Sequence, residues 1–111
     1  MIDLTQKAVH VINNMLGGKK EFGLRLKTVD DCCGIKLNLS FDKKTKSDRT
    51  IKKHENIRIF ADKLTLQTID FLIKKKEFSK TVVDYISTPL AKGFVSGNNR
   101  LNINIWEHEL I

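Results

Sequence analysis

The sequence predicts a mainly β, α+β fold: two small sheets packed as a flattened barrel or sandwich, with an N-terminal helix and one further helix. Three observations lead there. Apolar and polar residues alternate through several short segments, helical spacing occurs in only two places, and glycine, asparagine or the sole proline punctuates the joins. With 111 residues and 41% hydrophobic content the chain can bury one modest core, and no repeat or linker divides it, so one domain over residues 1–111 is expected.

Ile2 to Leu4 reads as a short strand leading to Asp3 or Thr5 as a helix N-cap, after which Ala8, Val11, Ile12 and Met15 recur at helical spacing until Gly17-Gly18. From Phe22 to Thr28 the period changes, with Phe22, Leu24 and Leu26 on one face and Gly23, Arg25 and Lys27 on the other. Ile35, Leu37, Leu39 and Phe41 alternate in the same way, which makes Val29 to Gly34 the link of an antiparallel pair. The lysine-rich stretch from Asp42 to Glu55 reads as a loop and Ile57 to Phe60 as a short strand. Asp62 can cap a second helix reaching about Ile73, whose apolar face of Leu66, Ile69 and Ile73 is widened by Leu64, Phe71 and Leu72. Lys74 to Lys80 breaks the pattern. Val82 to Ile86 then reads as a strand stopped before Pro89, Gly93-Phe94-Val95 as another, and Leu101, Ile103 and Ile105 as the last. Between these two, Gly97-Asn98-Asn99 suits a turn with positive backbone angles.

The net charge of +7 and pI near 9.5 point either to a polyanion partner or to solvated loops. Lysines concentrate at Lys43 to Lys46, Lys52-Lys53 and Lys74 to Lys76, and Phe78 lies beside the last of these runs. Base stacking needs exposed aromatics beside the charge, so solvated loops are favoured and nucleic acid is not the expected partner. No apolar run approaches membrane-spanning length and none follows a basic start, which leads to the expectation of a cytoplasmic protein without a membrane partner. Asp84, His10, His54 and His108 show no triad or acid-base spacing, and Gly17-Gly18-Lys19-Lys20 lacks the preceding strand and first glycine of a phosphate loop. No catalytic residue and no enzyme activity are expected. Asp84-Tyr85 reads as a structural pair.

The only cysteines, Cys32 and Cys33, stand side by side in Asp31-Cys32-Cys33-Gly34, on the link between the two alternating segments. Adjacent cysteines pair only through a strained eight-membered ring, so reduced thiols are expected. Such thiols either ligate a soft metal or pack as small apolar groups. Adjacent side chains on a regular strand point to opposite faces, so both thiols reach one metal only from a turn. Asp31 raises their pKa, and Lys27 or Lys36 nearby can offset it. His108 is the one late residue with good ligand chemistry, set against the plain reading of a solvated histidine near a terminus. His10 reads as a surface or boundary residue, and His54 falls in the charged loop.

Several segments together resemble the HesB-like family, the A-type iron-sulfur cluster carriers and their relatives. They are Ile2-Asp3-Leu4-Thr5 before a helix, Gly23-Leu24-Arg25-Leu26 leading into Cys33-Gly34, Asp62 opening the second helix, Val83-Asp84-Tyr85, and Gly93-Phe94-Val95-Ser96 followed by Asn98-Asn99. The family's Gly-Cys-Ser-Gly motif places Cys32 on its cysteine and Cys33 on its serine. Its C-terminal Cys-Gly-Cys-Gly motif has no counterpart, because no cysteine follows Cys33 and the tail reads Asn102-Ile103-Asn104-Ile105-Trp106-Glu107-His108.

The resemblance implies a HesB-like fold and a protein of iron-sulfur cluster biogenesis that binds or carries iron or a [2Fe-2S] cluster. Cys32 and Cys33 are then the metal and cofactor ligands. A [2Fe-2S] cluster wants four thiolates and one chain has two, so the ligand set implies a homodimer, with assembly or client proteins as further partners. The alternatives are a metal-free HesB-like interaction module and a small basic nucleic-acid-binding protein.

Overall fold

The structure is a computed structural model that describes residues 2–31, 34–98 and 100–105. These residues form β1 (Ile2–Leu4), α1 (Gln6–Leu16), β2 (Phe22–Asp31), β3 (Gly34–Lys43), β4 (Arg49–His54), β5 (Ile57–Ala61), α2 (Lys63–Lys74), β6 (Thr81–Ser87), β7 (Lys92–Ser96) and β8 (Leu101–Asn104). The strands make a three-stranded sheet, β1-β6-β7, and a five-stranded sheet, β4-β5-β2-β3-β8. Two sheets and two helices match the sequence reading, but the sheets do not close into a barrel. β8 pairs in parallel with β3, and no ladder joins it to β7, so both sheets keep open edges among the described residues.

One apolar cluster joins the layers: Ile2, Leu4, Val83 and Tyr85 from the smaller sheet, Leu24, Leu26, Leu37 and Leu39 from the larger, and Ala8, Val9, Ile12 and Leu16 from α1. Thr5, rather than Asp3, caps α1. Its hydroxyl oxygen accepts from the Ala8 N–H at 3.2 Å while its O–H donates to Asp84 Oδ1 at 2.6 Å. Asp84 also accepts from the Tyr85 N–H, and these bonds, that of Thr5 first, hold its carboxyl below the usual carboxylate range. Tyr85 is buried edge-on to Phe94. The pair is therefore structural, tying β6 to a cap of a kind worth about 1 kcal/mol.

The β2–β3 ladder runs in register from Phe22↔Lys43 to Asp31↔Gly34. Val29 to Asp31 thus belong to a strand and not to the expected link, because antiparallel hydrogen bonds continue past the last apolar side chain. The expected loop from Asp42 to Glu55 is also corrected: β3 reaches Lys43, and Arg49 to His54 form an edge strand with a register shift between Thr50 and Lys52. Lysines and an irregularity on an edge discourage further pairing, and they also erase the alternation by which a strand is read. In the adjoining parallel pair, a Cβ at Gly23 would lie 2.7 Å from the Arg58 carbonyl oxygen and 2.8 Å from the Phe60 ring, so β2 and β5 approach only because this residue has none.

Asp62 caps α2 as expected, accepting from the Thr65 N–H at 2.8 Å. The buried stripe is narrower than expected: Thr65, Ile69 and Leu72, with Leu66 partly buried. Leu64, Phe71 and Ile73 are 69%, 52% and 45% exposed: Leu64 and Phe71 each stand one position before a buried residue and so leave the core-facing stripe, and Ile73 falls at the C-terminal end of the helix.

On the face of β2 away from the main cluster, Arg25 organises the β3–β4 turn. Its guanidinium donates to both oxygens of Asp48 at 2.6 and 2.8 Å and to Asp42 at 2.8 Å, and it lies 5.0 Å from the Phe60 ring centroid. Asp48 further accepts from the Thr45 N–H and hydroxyl. Its side chain is 1% exposed, and the Arg25 hydrogen bonds hold its carboxyl far below the usual carboxylate range, as they raise the Arg25 pKa in turn.

Candidate functional site

Cys32 and Cys33, the residues singled out as ligands, lie outside the described residues, as do Asn99 and His108. What is described is the frame on either side. Asp31 pairs with Gly34, so the β2–β3 ladder closes with just the two cysteines between its partnered ends. Gly34 has φ +116°, in the region that favours glycine, and is exposed.

Partners in an antiparallel ladder share a face, which puts Lys27, Val29, Lys36 and Asn38 on one face of the hairpin. Strand rise places Lys36 about 7 Å and Lys27 about 14 Å along the hairpin from the Asp31–Gly34 pair. Of these two lysines, Lys36 is therefore the nearer to the end of the ladder.

A third cation was not legible in the sequence. Arg100 Nη1 donates to the Ile35 carbonyl at 2.7 Å, the Leu37 N–H donates to the Arg100 carbonyl at 2.8 Å, and Arg100 Nη2 lies 3.7 Å from Glu77. Asn98 holds the turn that carries Arg100: its side chain accepts from the Arg100 N–H and donates to the buried Thr81 hydroxyl, both at 2.9 Å. Asn98 does this without a left-handed backbone; outside glycine, positive φ among the described residues occurs at Glu55 and Lys76. The β7–β8 turn is thereby stitched to the base of the cysteine hairpin. A polar cleft of about 560 Å³ opens beside it, lined by Lys76, Glu77, Lys80, Asn98 and Arg100 among others.

The other candidates fall elsewhere. His10 is exposed on α1, with Asn14 Nδ2 3.4 Å from its Nε2. His54 is on β4 rather than in a loop, its Nε2 3.9 Å from Asp3 Oδ1. Asp3 is also bracketed by Lys52 and by Lys80, whose hydrogen bonds, that of Lys52 first, lower its pKa to about 2. This cluster was unread because it joins β1, β4 and the segment before β6. Among the described residues no group of three or more histidine, cysteine, aspartate or glutamate side chains is placed to hold a metal ion. No helix among them is long and apolar enough to cross a membrane.

No protein-family model matches the sequence, and no curated protein matches it. Solved structures do. SufA from Escherichia coli, involved in biosynthesis of iron-sulfur clusters, superposes with a TM-score of 0.59 at 23% identity, over 87% of this chain and 79% of that one. IscA with the [2Fe-2S] cluster superposes with a TM-score of 0.54 at 17% identity, over 89% of this chain and 83% of that one. The likeness is one of fold: the two sheets and two helices are those of the HesB-like architecture that the sequence motifs implied.

Proposed function

We propose that this chain, as a single domain over residues 1–111, is a cytoplasmic iron-sulfur biogenesis-type protein that carries iron or a [2Fe-2S] cluster between two protomers, with Cys32 and Cys33 of each as ligands. The observation that supports the reading is the closure of the β2–β3 ladder at Asp31↔Gly34, with Cys32 and Cys33 the two residues between these partners in the sequence, within the fold shared with SufA and IscA. A twofold pair of such hairpins supplies the four thiolates that the cluster needs as cargo. Thiolate, not thiol, is the ligand, and it is favoured by nearby cations. Lys36 lies two positions beyond Gly34 on β3, and Arg100 is bonded to the Ile35 carbonyl, so both cations stand near the end of the ladder. Partners are then assembly proteins that load the cargo and clients that accept it, and no chemical step is assigned to the protein itself.

Anaerobic reconstitution with iron and sulfide tests this. Visible absorption that is lost in Cys32→Ser and Cys33→Ser supports it, and absorption unaltered by both substitutions contradicts it. One observation favours a second reading, a metal-free interaction module: no cysteine follows Cys33. Wild-type protein that takes up neither iron nor zinc, yet retains a protein partner, selects that reading.

A further inference from the structure

The acidic residues of this chain are unevenly used. Asp3 lies between Lys52 and Lys80, Asp42 and Asp48 enclose Arg25, and Glu77 faces Arg100. The end of the ladder remote from the Asp31↔Gly34 pair, where β2 begins and β3 ends, is left positive. Two adjoining clefts there, of about 850 and 530 Å³, share Lys20 and Arg58 as walls. Together they gather Lys19, Lys20, Lys44, Lys46, Lys53 and Arg58 around a single carboxylate, Glu21, six cations less one anion, for a local charge of +5. Lys20, Lys44, Lys46 and Lys53 make no ion pair among the described residues. The walls are held: Arg58 donates to the Lys20 carbonyl, the Lys44 N–H donates to the Glu21 carbonyl at 3.1 Å, and the Arg25–Asp48–Thr45 node fixes the turn that carries Lys44 and Lys46.

We propose that this cleft is a docking site for an acidic polypeptide segment of a partner protein. Its lining chooses between the polyanions. Among the described residues no aromatic side chain lines the cleft, so they offer none of the stacking that single-stranded nucleic acid relies on. The cations line a concavity, whereas duplex readers insert a convex helix or ribbon into a groove. Asn13 and Asn56 stand among the lysines with both donors and acceptors, which match peptide N–H and C=O groups; phosphate oxygens only accept. Leu16 supplies an apolar patch of wall. The inference stands on charge and geometry at the opposite pole and does not rest on the cysteine reading, so either can fail alone.

The test uses the full chain, a fluorescein-labelled glutamate-rich peptide and a single-stranded oligonucleotide of matched charge, followed by anisotropy. Expected is peptide binding at low salt that weakens steeply toward physiological ionic strength. The variant Lys20→Glu/Lys46→Glu/Lys53→Glu is expected to lose roughly tenfold or more in affinity, while Lys63→Glu/Lys75→Glu/Lys92→Glu, which reverses as many charges outside the cleft, changes it by less than about twofold. Equal losses in both variants, no peptide binding, or tighter binding of the oligonucleotide each overturn the proposal. Should the first variant misfold, amide shift mapping on the wild type decides: peptide-induced shifts at Gly18, Lys20, Thr45 and Asn56 support it, and shifts confined to other surfaces overturn it.

Discussion

Replacing Asp48 by asparagine removes one charge and almost no volume at the point where β2, β3 and the turn before β4 meet. In the wild type the carboxylate takes two hydrogen bonds from the Arg25 guanidinium and two from Thr45, with its side chain 1% exposed against 15% for Arg25. Breaking a buried ion pair from one side costs about 3–5 kcal/mol. Here Arg25 keeps Asp42 and the Lys43 carbonyl, and the amide oxygen can still accept from Thr45, which lowers the expectation to about 2–3 kcal/mol. Urea unfolding at neutral pH is expected to show that loss at unchanged m, with a fall in Tm on the order of 10 °C or more. The pH dependence separates the charge from the packing. Asp48 is held well below its unfolded value of 3.8, so its contribution is present above about pH 4 and fades as pH falls further. The gap between wild type and Asp48→Asn must then narrow in acid. A cost under about 0.5 kcal/mol, or a gap that stays constant down to pH 2, refutes the reasoning.

Other consequences follow from the same geometry. Gly23→Ala places a methyl against the Arg58 carbonyl oxygen and the Phe60 ring, and thermal unfolding is expected to register about 1–3 kcal/mol of overpacking; wild-type stability sinks the close-approach argument. Gly34→Ala meets no neighbour among the described residues, so its cost of about 1–2 kcal/mol is torsional, and Gly97→Ala, likewise without a neighbour among them but at an ordinary φ, is the near-neutral control. NMR titration of side-chain carboxyl carbons is expected to find Asp3 titrating near pH 2, and in Lys52→Ala/Lys80→Ala nearer 4, because the partners that lower it are gone.

The caps and the alternation were readable. Thr5 and Asp62 precede periodic apolar runs, and the core faces of β2 and β3 follow from a period of two. β4 was not, because an edge strand carrying Lys52 and Lys53 beside a register shift has no alternation to read. The ends of β2 and β3 outran the reading because Asp30, Asp31, Asp42 and Lys43 continue the backbone pairing with no apolar side chain to mark it. Leu64, Phe71 and Ile73 misled because hydrophobicity alone does not say which side of a helix meets the sheet.

For the site, Cys32 and Cys33 stand out in the sequence by chemistry alone, whereas Arg100 reaches Ile35 across 65 positions and nothing local announces the contact. The basic cleft is similar. Its lysines come from the α1–β2 loop, the β3–β4 turn and the end of β4, and the most conspicuous run, Lys74 to Lys76, contributes nothing to it.

The most direct trial of the account is the iron and acid-labile sulfide content of protein purified without air, read with its mass in solution. The account expects two irons and two sulfides for each pair of chains, both lost together with the pairing signal of the cluster when Cys32 and Cys33 are changed to serine. A monomer that carries neither iron nor sulfide after anaerobic loading contradicts it.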